Sequence, residues 1–349
     1  MGAVRCAFAL AAASLLAGAA AGQEPSRQGS VTARTSVEKV LVDAYVVGPH
    51  GGALTGLAAP DFLLRVGGVE TPVEDVEYVP ANRSELPPPP RTSAEAVAPE
   101  PGIPEFPQGR LIVLFFQADF ARVRLKGQMR AANEMVAFLD RLLPTDRVAV
   151  LSYDSHLKLR LDFTNDRAAI HHALFETLEI GGAPDPPPAS PFPSLAAHFD
   201  VAAARKAASV ERGLLVTAKA LREIPGGKVM FFLGWGLRVD RVPQDWKWHA
   251  LAVSALQEAR VNVFALDVSD ADWHTLETEL MLLAETTGGT YAKTNVFTSQ
   301  ALDLAFRAIE GRYIVVFSRP EGPPGRHAIE LTLRTKKGQV LARPFYDDP

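Results

Sequence analysis

Between Gly109 and Ala121 the chain reads GRLIVLFFQADFA, an apolar run over 111–116 that breaks off at Gln117, Ala118, Asp119, Phe120 and Ala121. A stretch apolar at every position, rather than every second one, predicts a parallel strand covered on both faces. From there to Gly311 apolar strands alternate with amphipathic stretches. Strands are expected at 111–116, 147–153, 156–163, 228–233, 261–268 and 290–293, and helices at 122–143, 166–178, 201–223, 246–260, 276–286 and 299–311. In the first helix Leu125, Met129, Ala132, Val136 and Leu139 form the apolar stripe and Pro144 is the stop. Residues 156–163 alternate Leu157, Leu159, Leu161 and Phe163 against His156, Lys158, Arg160 and Asp162, the pattern of a half-exposed edge strand, and Thr164 is placed to cap the next helix. This rhythm predicts an α/β fold with a doubly wound, mostly parallel sheet and helices on both faces.

The flanks read differently. Residues 36–79 carry an interrupted alternation (Val37, Val40, Val42, Ala44, Val46) and a hairpin signal at Gly67-Gly68, and β patterning returns at 313–317, 328–335 and 340–346. A proline-rich tract at 80–107, with Pro87 to Pro90 in a row, can neither pair into a sheet nor continue a helix and predicts an extended linker. A second such stretch at 181–200 predicts a surface excursion. At the start, Arg5, the apolar residues 6–16 and the small residues 17–22 have the pattern of a cleaved signal peptide, so an exported (periplasmic or secreted) chain is expected. The expected organisation is a signal peptide at 1–22, a β segment at 31–80, a linker at 81–108, an α/β domain at 109–311 and a closing β segment at 312–349.

Composition narrows the partners. A formal net charge of −4 over 349 residues supplies no basic footprint for nucleic acid and no polybasic surface for anionic lipid. Cys6 is the only cysteine, and it falls inside the signal segment, so no disulfide or thiol chemistry is expected of the mature chain. Beyond residue 22 no segment is apolar enough over about 20 residues to span a bilayer.

In order and spacing, RLIVLFFQADFA, PTDRVAVLSYDSHLKLRLDFTNDR, GGKVMFFLGWG, VNVFALDV and LAETTGGTYAKT resemble the von Willebrand factor A family. With the flanking VDAYVVGPHGGALTGLAAPDFLLRVGGVETPVEDVEYV, EGRYIVVFSRP and GRHAIELTLRT, the chain is similar to the exported bacterial, VWFA-related branch. The resemblance implies that the two β segments pack as one small sandwich into which the A domain is inserted. It also implies a site at the carboxyl end of the first α/β strand. There the family places a DxSxS motif, a threonine from a second loop and an aspartate from a third, all hard oxygen ligands for a divalent cation. The DxSxS positions fall here on Gln117, Asp119 and Ala121, the threonine position near Ala183, and the third-loop aspartate on Gly234 or Trp235. Only Asp119 retains a charged oxygen donor, so the adhesion site is expected to be degenerate and to need no cofactor.

Gln117, Asp119, Trp235, Asp267 and Trp273 are the expected contact residues for a protein or glycan partner, because rigid aromatic area at strand ends suits such contacts. The bland alternative is that the four tryptophans merely cap the sheet. A second alternative is a cation-dependent adhesin in which Asp119 recruits Asp154, Asp267, Asp270 or Asp272 to hold Mg²⁺, Ca²⁺ or Mn²⁺. An enzyme reading has less behind it. Asp154-Ser155-His156 has the letters of a hydrolase triad without a spacing that aligns them, and His171-His172 are neighbours on a helix that point apart. No P-loop, H-E-x-x-H or G-x-S-x-G sequence occurs. Asn82-Arg83-Ser84 fits a glycosylation acceptor only in a pathway holding the transferase.

Overall fold

The computed structural model describes residues 39–81, 109–118, 122–178, 187–237, 243–270, 274–294 and 298–348. Strands β1 (Lys39–Val47), β2 (Phe62–Val66), β3 (Val69–Thr71) and β4 (Asp75–Pro80) come first. The alternating part follows as β5 (Leu111–Gln117), α1 (Arg122–Leu139), β6 (Arg147–Tyr153), β7 (Leu157–Thr164), α2 (Arg167–Glu176), α3 (Val201–Arg205), α4 (Val210–Arg222) and β8 (Lys228–Gly234). It continues through α5 (Pro243–Glu258), β9 (Val261–Asp267), α6 (Glu277–Thr286), β10 (Tyr291–Lys293) and α7 (Thr298–Ala308). Strands β11 (Gly311–Ser318), β12 (Gly325–Leu333), β13 (Gln339–Ala342) and β14 (Phe345–Asp348) complete the chain.

The six-stranded sheet runs β10-β9-β8-β5-β6-β7, parallel throughout except for β7. Every position of β5, β8 and β9 is buried, as an uninterrupted apolar run requires. Successive β5 side chains serve opposite faces. Ile112, Leu114 and Phe116 pack with Met135, Phe138, Ile170 and Phe306 of α1, α2 and α7, whereas Leu111, Val113 and Phe115 pack with Leu214, Leu256 and Leu280 of α4, α5 and α6. The sheet is therefore doubly wound, with its carboxyl strand ends available to a site.

The two β segments interleave. One sheet has the order β13-β1-β11-β4 and the other β14-β12-β2-β3. Val42, Val46, Phe62, Leu64, Tyr313 and Phe317 share one core between them. Burial alternates along β2 and β11, as it should where one face is packed and the other is not. The β2–β3 hairpin turns at Gly67 and Gly68, whose φ angles of 56° and 83° lie in the left-handed region that favours glycine.

Several local expectations give way to tertiary packing. Helix α1 ends at Leu139, and its buried side is Ala131, Ala132, Met135, Phe138 and Leu139, leaving Met129 exposed. Gly127 sets that rotation, since a Cβ there would lie 1.8 Å from the Val268 carbonyl oxygen. The helix expected over 201–223 is two, with Ser209 accepting from the Arg212 N–H to start α4 afresh. Asp166, not Thr164, caps α2, accepting from Ala168 and Ala169 N–H.

Strand β7 lies at the sheet edge, yet Lys158 and Asp162 are buried. Lys158 pairs with Asp154 at 2.5 Å. Asp162 accepts hydrogen bonds from Phe163 N, Ser190 N, Ser194 Oγ, Leu195 N and Ala196 N, and so binds the described part of the second proline-rich stretch to the sheet. Leu195 is accordingly core rather than part of a surface excursion.

A charged cluster joins the sandwich to the α/β part. Asp43 of β1 accepts two 2.7 Å hydrogen bonds from Arg260, just before β9, and lies 3.3 Å from Arg312. Beside it Lys228 is buried and donates to the carbonyls of Ile224 and Ala259. Burial, reinforced by Arg260 and Arg312, pulls the Lys228 ammonium down to about 7 from an ordinary 10.5. The neutral amine keeps two N–H donors for its two carbonyls. Between those two pH values the unfolded chain holds a proton that the folded chain has released, so stability should climb as pH rises from about 7 towards 10. Urea unfolding at intervals across that range should show the climb, and Lys228→Met should flatten it. An unchanged slope in the variant would rule Lys228 out as the source.

Candidate functional site

The carboxyl ends of β5, β8 and β9 lie side by side, with Phe116 paired to Leu233 and Gly234 paired to Asp267. Gln117, the last residue of β5, is buried and turned inward. Its Nε2 donates to Gly236 O at 2.7 Å, and its Oε1 accepts from Trp235 N at 3.0 Å and Gly236 N at 3.3 Å. The Gln128 amide of α1 donates to its carbonyl. All three side-chain bonds go to the loop after β8. The residue expected at a cation or partner surface is instead the brace of that loop.

At Gly234 an added Cβ would lie 2.3 Å from Phe232 Cε1 and 2.5 Å from Gln117 Oε1. A carboxylate there has no room while Gln117 keeps its place. Of the residues expected at the family's ligand positions, Asp119, Ala121 and Ala183 lie outside the described residues, and so do Asp272, Trp273 and Asn82-Arg83-Ser84. Among the described ones, Gln117 and Gly234 do not fit a hard cation, because the first has its amide oxygen engaged and the second has no side chain.

Trp235 is half-buried. The Arg124 guanidinium carbon sits 3.5 Å from its ring centroid, a cation–π contact, and its Nε1 is buried without a hydrogen-bond partner among the described residues. Next to it opens a cavity of about 250 Å³ bordered by Gln117, Tyr153, Asp154, Ser209, Glu211 and Trp235. Burial, then the Glu211 and Asp154 carboxylates, push the Tyr153 hydroxyl up to about 12. It donates to Ala207 O at 3.1 Å. The other tryptophans separate as helix geometry requires. Trp246 is exposed, and Trp248 has the Arg212 guanidinium carbon 4.2 Å from its ring centroid.

Asp267 is fully buried rather than presented to solvent. Its Oδ1 accepts from Ser269 N at 2.9 Å, while Oδ2 accepts from the Tyr291 hydroxyl at 2.8 Å and stands 2.8 Å from His274 Nε2. Glu277, the first residue of α6, closes the group and pairs with Lys293 at 2.6 Å. Burial, then Asp267, holds the Tyr291 hydroxyl far above its ordinary range. His274, Glu277 and Tyr291 escape a sequence reading that looks only at strand ends. The signal available for two of them was an imidazole three residues before a carboxylate at a helix start, shortly after a strand-end aspartate.

The remaining acidic residues are committed elsewhere. Asp270 pairs with Arg130 at 3.2 Å and Lys126 at 3.8 Å, and Asp154 with Lys158. In Asp154-Ser155-His156 the hydroxyl stands between the other two groups, 3.0 Å from Asp154 Oδ1 and 3.0 Å from His156 Nδ1. The carboxylate thus touches the hydroxyl and does not orient the imidazole, the reverse of what a catalytic triad needs. His172 pairs with Glu176, and His171 packs on Phe175.

No family model and no curated protein sequence matches the chain. Solved structures similar to it include a von Willebrand factor type A protein from Catenulispora acidiphila, at 13% identity and a TM-score of 0.41, covering 84% of this chain and 74% of that one. Another is the conserved hypothetical protein BatB from Bacteroides thetaiotaomicron, at 11% identity and a TM-score of 0.39, covering 58% and 98%. A third is proximal thread matrix protein 1 from the mussel byssus, at 17% identity and a TM-score of 0.40, covering 60% and 48%. At such identities nothing those proteins bind passes to this chain. Among the described residues no helix is long and apolar enough to cross a membrane.

Proposed function

We propose that this chain is an exported, non-catalytic interaction module whose protein or glycan partner docks at the carboxyl ends of β5 and β8, without the cation that the resembled family holds there. The observation that carries this reading is the Gln117 side chain. Three hydrogen bonds to the β8 loop occupy the place where a ligand carboxylate would open towards a metal, and Gly234 leaves no space for another. Trp235, beside the 250 Å³ cavity, then supplies aromatic area for a partner. Asp119 and Trp273 are assigned to the same proposed face, and the buried Asp267 is not.

Affinity capture from the native envelope should recover a partner with the wild-type chain. Trp235→Ala should weaken capture at least about tenfold, roughly 1.4 kcal/mol or more, without altering the circular dichroism spectrum. Undiminished capture by that variant would remove Trp235 from the face. Calorimetric titration with Mg²⁺, Ca²⁺ and Mn²⁺ tests the cation-free reading, which fails if a saturable signal disappears in Asp119→Ala. Turnover of a model ester, peptide or glycoside that one substitution abolishes would end the non-catalytic reading.

A further inference from the structure

We infer that Asp267, His274 and Glu277 form a binding site for a divalent transition ion of the Zn²⁺ class, one strand away from the proposed docking face. One ligand atom from each of the three, a carboxylate oxygen, an imidazole nitrogen and a second carboxylate oxygen, lies within 4.8 Å of the other two. A tetrahedral ion with bonds of about 2.0–2.2 Å holds its donors roughly 3.4 Å apart, so the group needs only a modest contraction to close on one. Asp267 Oδ2 and His274 Nε2, hydrogen-bonded at 2.8 Å, would move apart by a fraction of an ångström as the ion replaces the proton between them.

The surroundings are those of a built site rather than a solvated acidic patch. Asp267 is fully buried, the Glu277 side chain is 11% exposed and that of His274 is 18% exposed. Two carboxylates brought together out of water repel unless positive charge accompanies them. Lys293 supplies one charge, from a side chain that is 27% exposed and able to swing out. Orientation is provided as well. Asp267 Oδ1 is held by the Ser269 N–H and its Oδ2 by the Tyr291 hydroxyl, the kind of outer bonds that fix metal ligands.

The donor set decides the ion. One nitrogen and two carboxylates without a thiolate suit Zn²⁺, Mn²⁺ or Co²⁺, whereas Ca²⁺ asks for six to eight oxygens and Mg²⁺ for a nearly all-oxygen octahedron. Placement decides the consequence. Asp267 ends β9 and Glu277 begins α6, so an ion would join strand to helix. Val268 N donates to Gly234 O at 2.8 Å, linking that junction to the loop carrying Trp235.

The test is calorimetric titration of the chelator-treated full chain with Zn²⁺, alongside thermal melting. One saturable site is expected, with a rise in melting temperature on Zn²⁺ addition. His274→Gln and the near-isosteric Glu277→Gln should each weaken binding by about tenfold or more and suppress the rise. Lys293→Met should tighten binding, since the ammonium competes for Glu277. His171→Ala/His172→Ala should change nothing. The inference is overturned if the folded wild-type chain shows no saturable Zn²⁺ binding, if the Glu277→Gln variant binds as tightly as wild type, or if the His171/His172 double variant abolishes the signal. Signals lost in Asp119→Ala bear on the docking face instead, so the two ideas fail separately.

Discussion

Asp162→Ala is expected to lower the unfolding free energy by about 3–5 kcal/mol, an effect usually reserved for broken buried networks. One carboxylate gathers the N–H groups of Phe163, Ser190, Leu195 and Ala196 and the Ser194 hydroxyl. Alanine would leave several of these donors out of water with no acceptor, and the cost of unsatisfied donors exceeds the net worth of the bonds themselves. Asp162→Asn keeps one acceptor oxygen and should lose roughly half as much. Burial alone would raise this carboxyl, but the donors led by Ser190 N–H and Ser194 outweigh it and hold it below the ordinary value of 3.8. A carboxyl depressed in the folded state stabilises above its unfolded pKa, and the contribution is lost as pH falls through the folded value. Wild type should therefore shed this contribution below about pH 4, where the alanine variant has none to shed. Urea unfolding at pH 7 and across the acid range measures both. A loss under about 1 kcal/mol at pH 7 would mean that water replaces the carboxylate adequately.

Asp43→Ala should be comparably severe, at about 3–5 kcal/mol, for an electrostatic reason. Burial raises the Asp43 carboxyl, yet Arg260 and Arg312, with a smaller contribution from Arg343, bring it below 3.8. Removing the anion leaves these cations facing one another around the buried Lys228 with nothing to balance them. The distinguishing measurement is a double-mutant cycle with Arg260→Met. If the guanidinium is harmful only once Asp43 is gone, the double variant should recover at least about 1.5 kcal/mol relative to the sum of the singles. Strict additivity would show that the pair contributes little, whatever its 2.7 Å geometry.

What the sequence revealed depended on whether a residue's partners were near in the chain. The apolar run of β5 could be read directly, because burial on both faces leaves no polar position to misplace. The alternation of strands and helices then implied a mostly parallel sheet with helices on both faces. Rotation of α1 could not be read, since it follows from Gly127 meeting the backbone at Val268, 141 positions away in the numbering. The burial of Asp162 was hidden for the same reason. An alternating pattern assigns polar side chains to solvent, and only a fold that brings 190–196 back across β7 gives Asp162 a reason to be inside. At the site, the departure from DxSxS pointed to the place where the chemistry changes but not to its direction. Gln117 looks inward to the β8 loop, and Asp267 looks inward to His274 and Tyr291.

The interleaving of the two β segments also settles how the molecule bears a mechanical load. Tension between Lys39 and Asp348 enters through β1 and β14, both of which belong to the sandwich. It is resisted first by the ladders β1–β11, β1–β13 and β12–β14, while the six-stranded sheet hangs as a closed loop off the line of force. A pull in an atomic-force experiment should therefore rupture the sandwich before the α/β part, and the docking face should keep its shape until those ladders have parted.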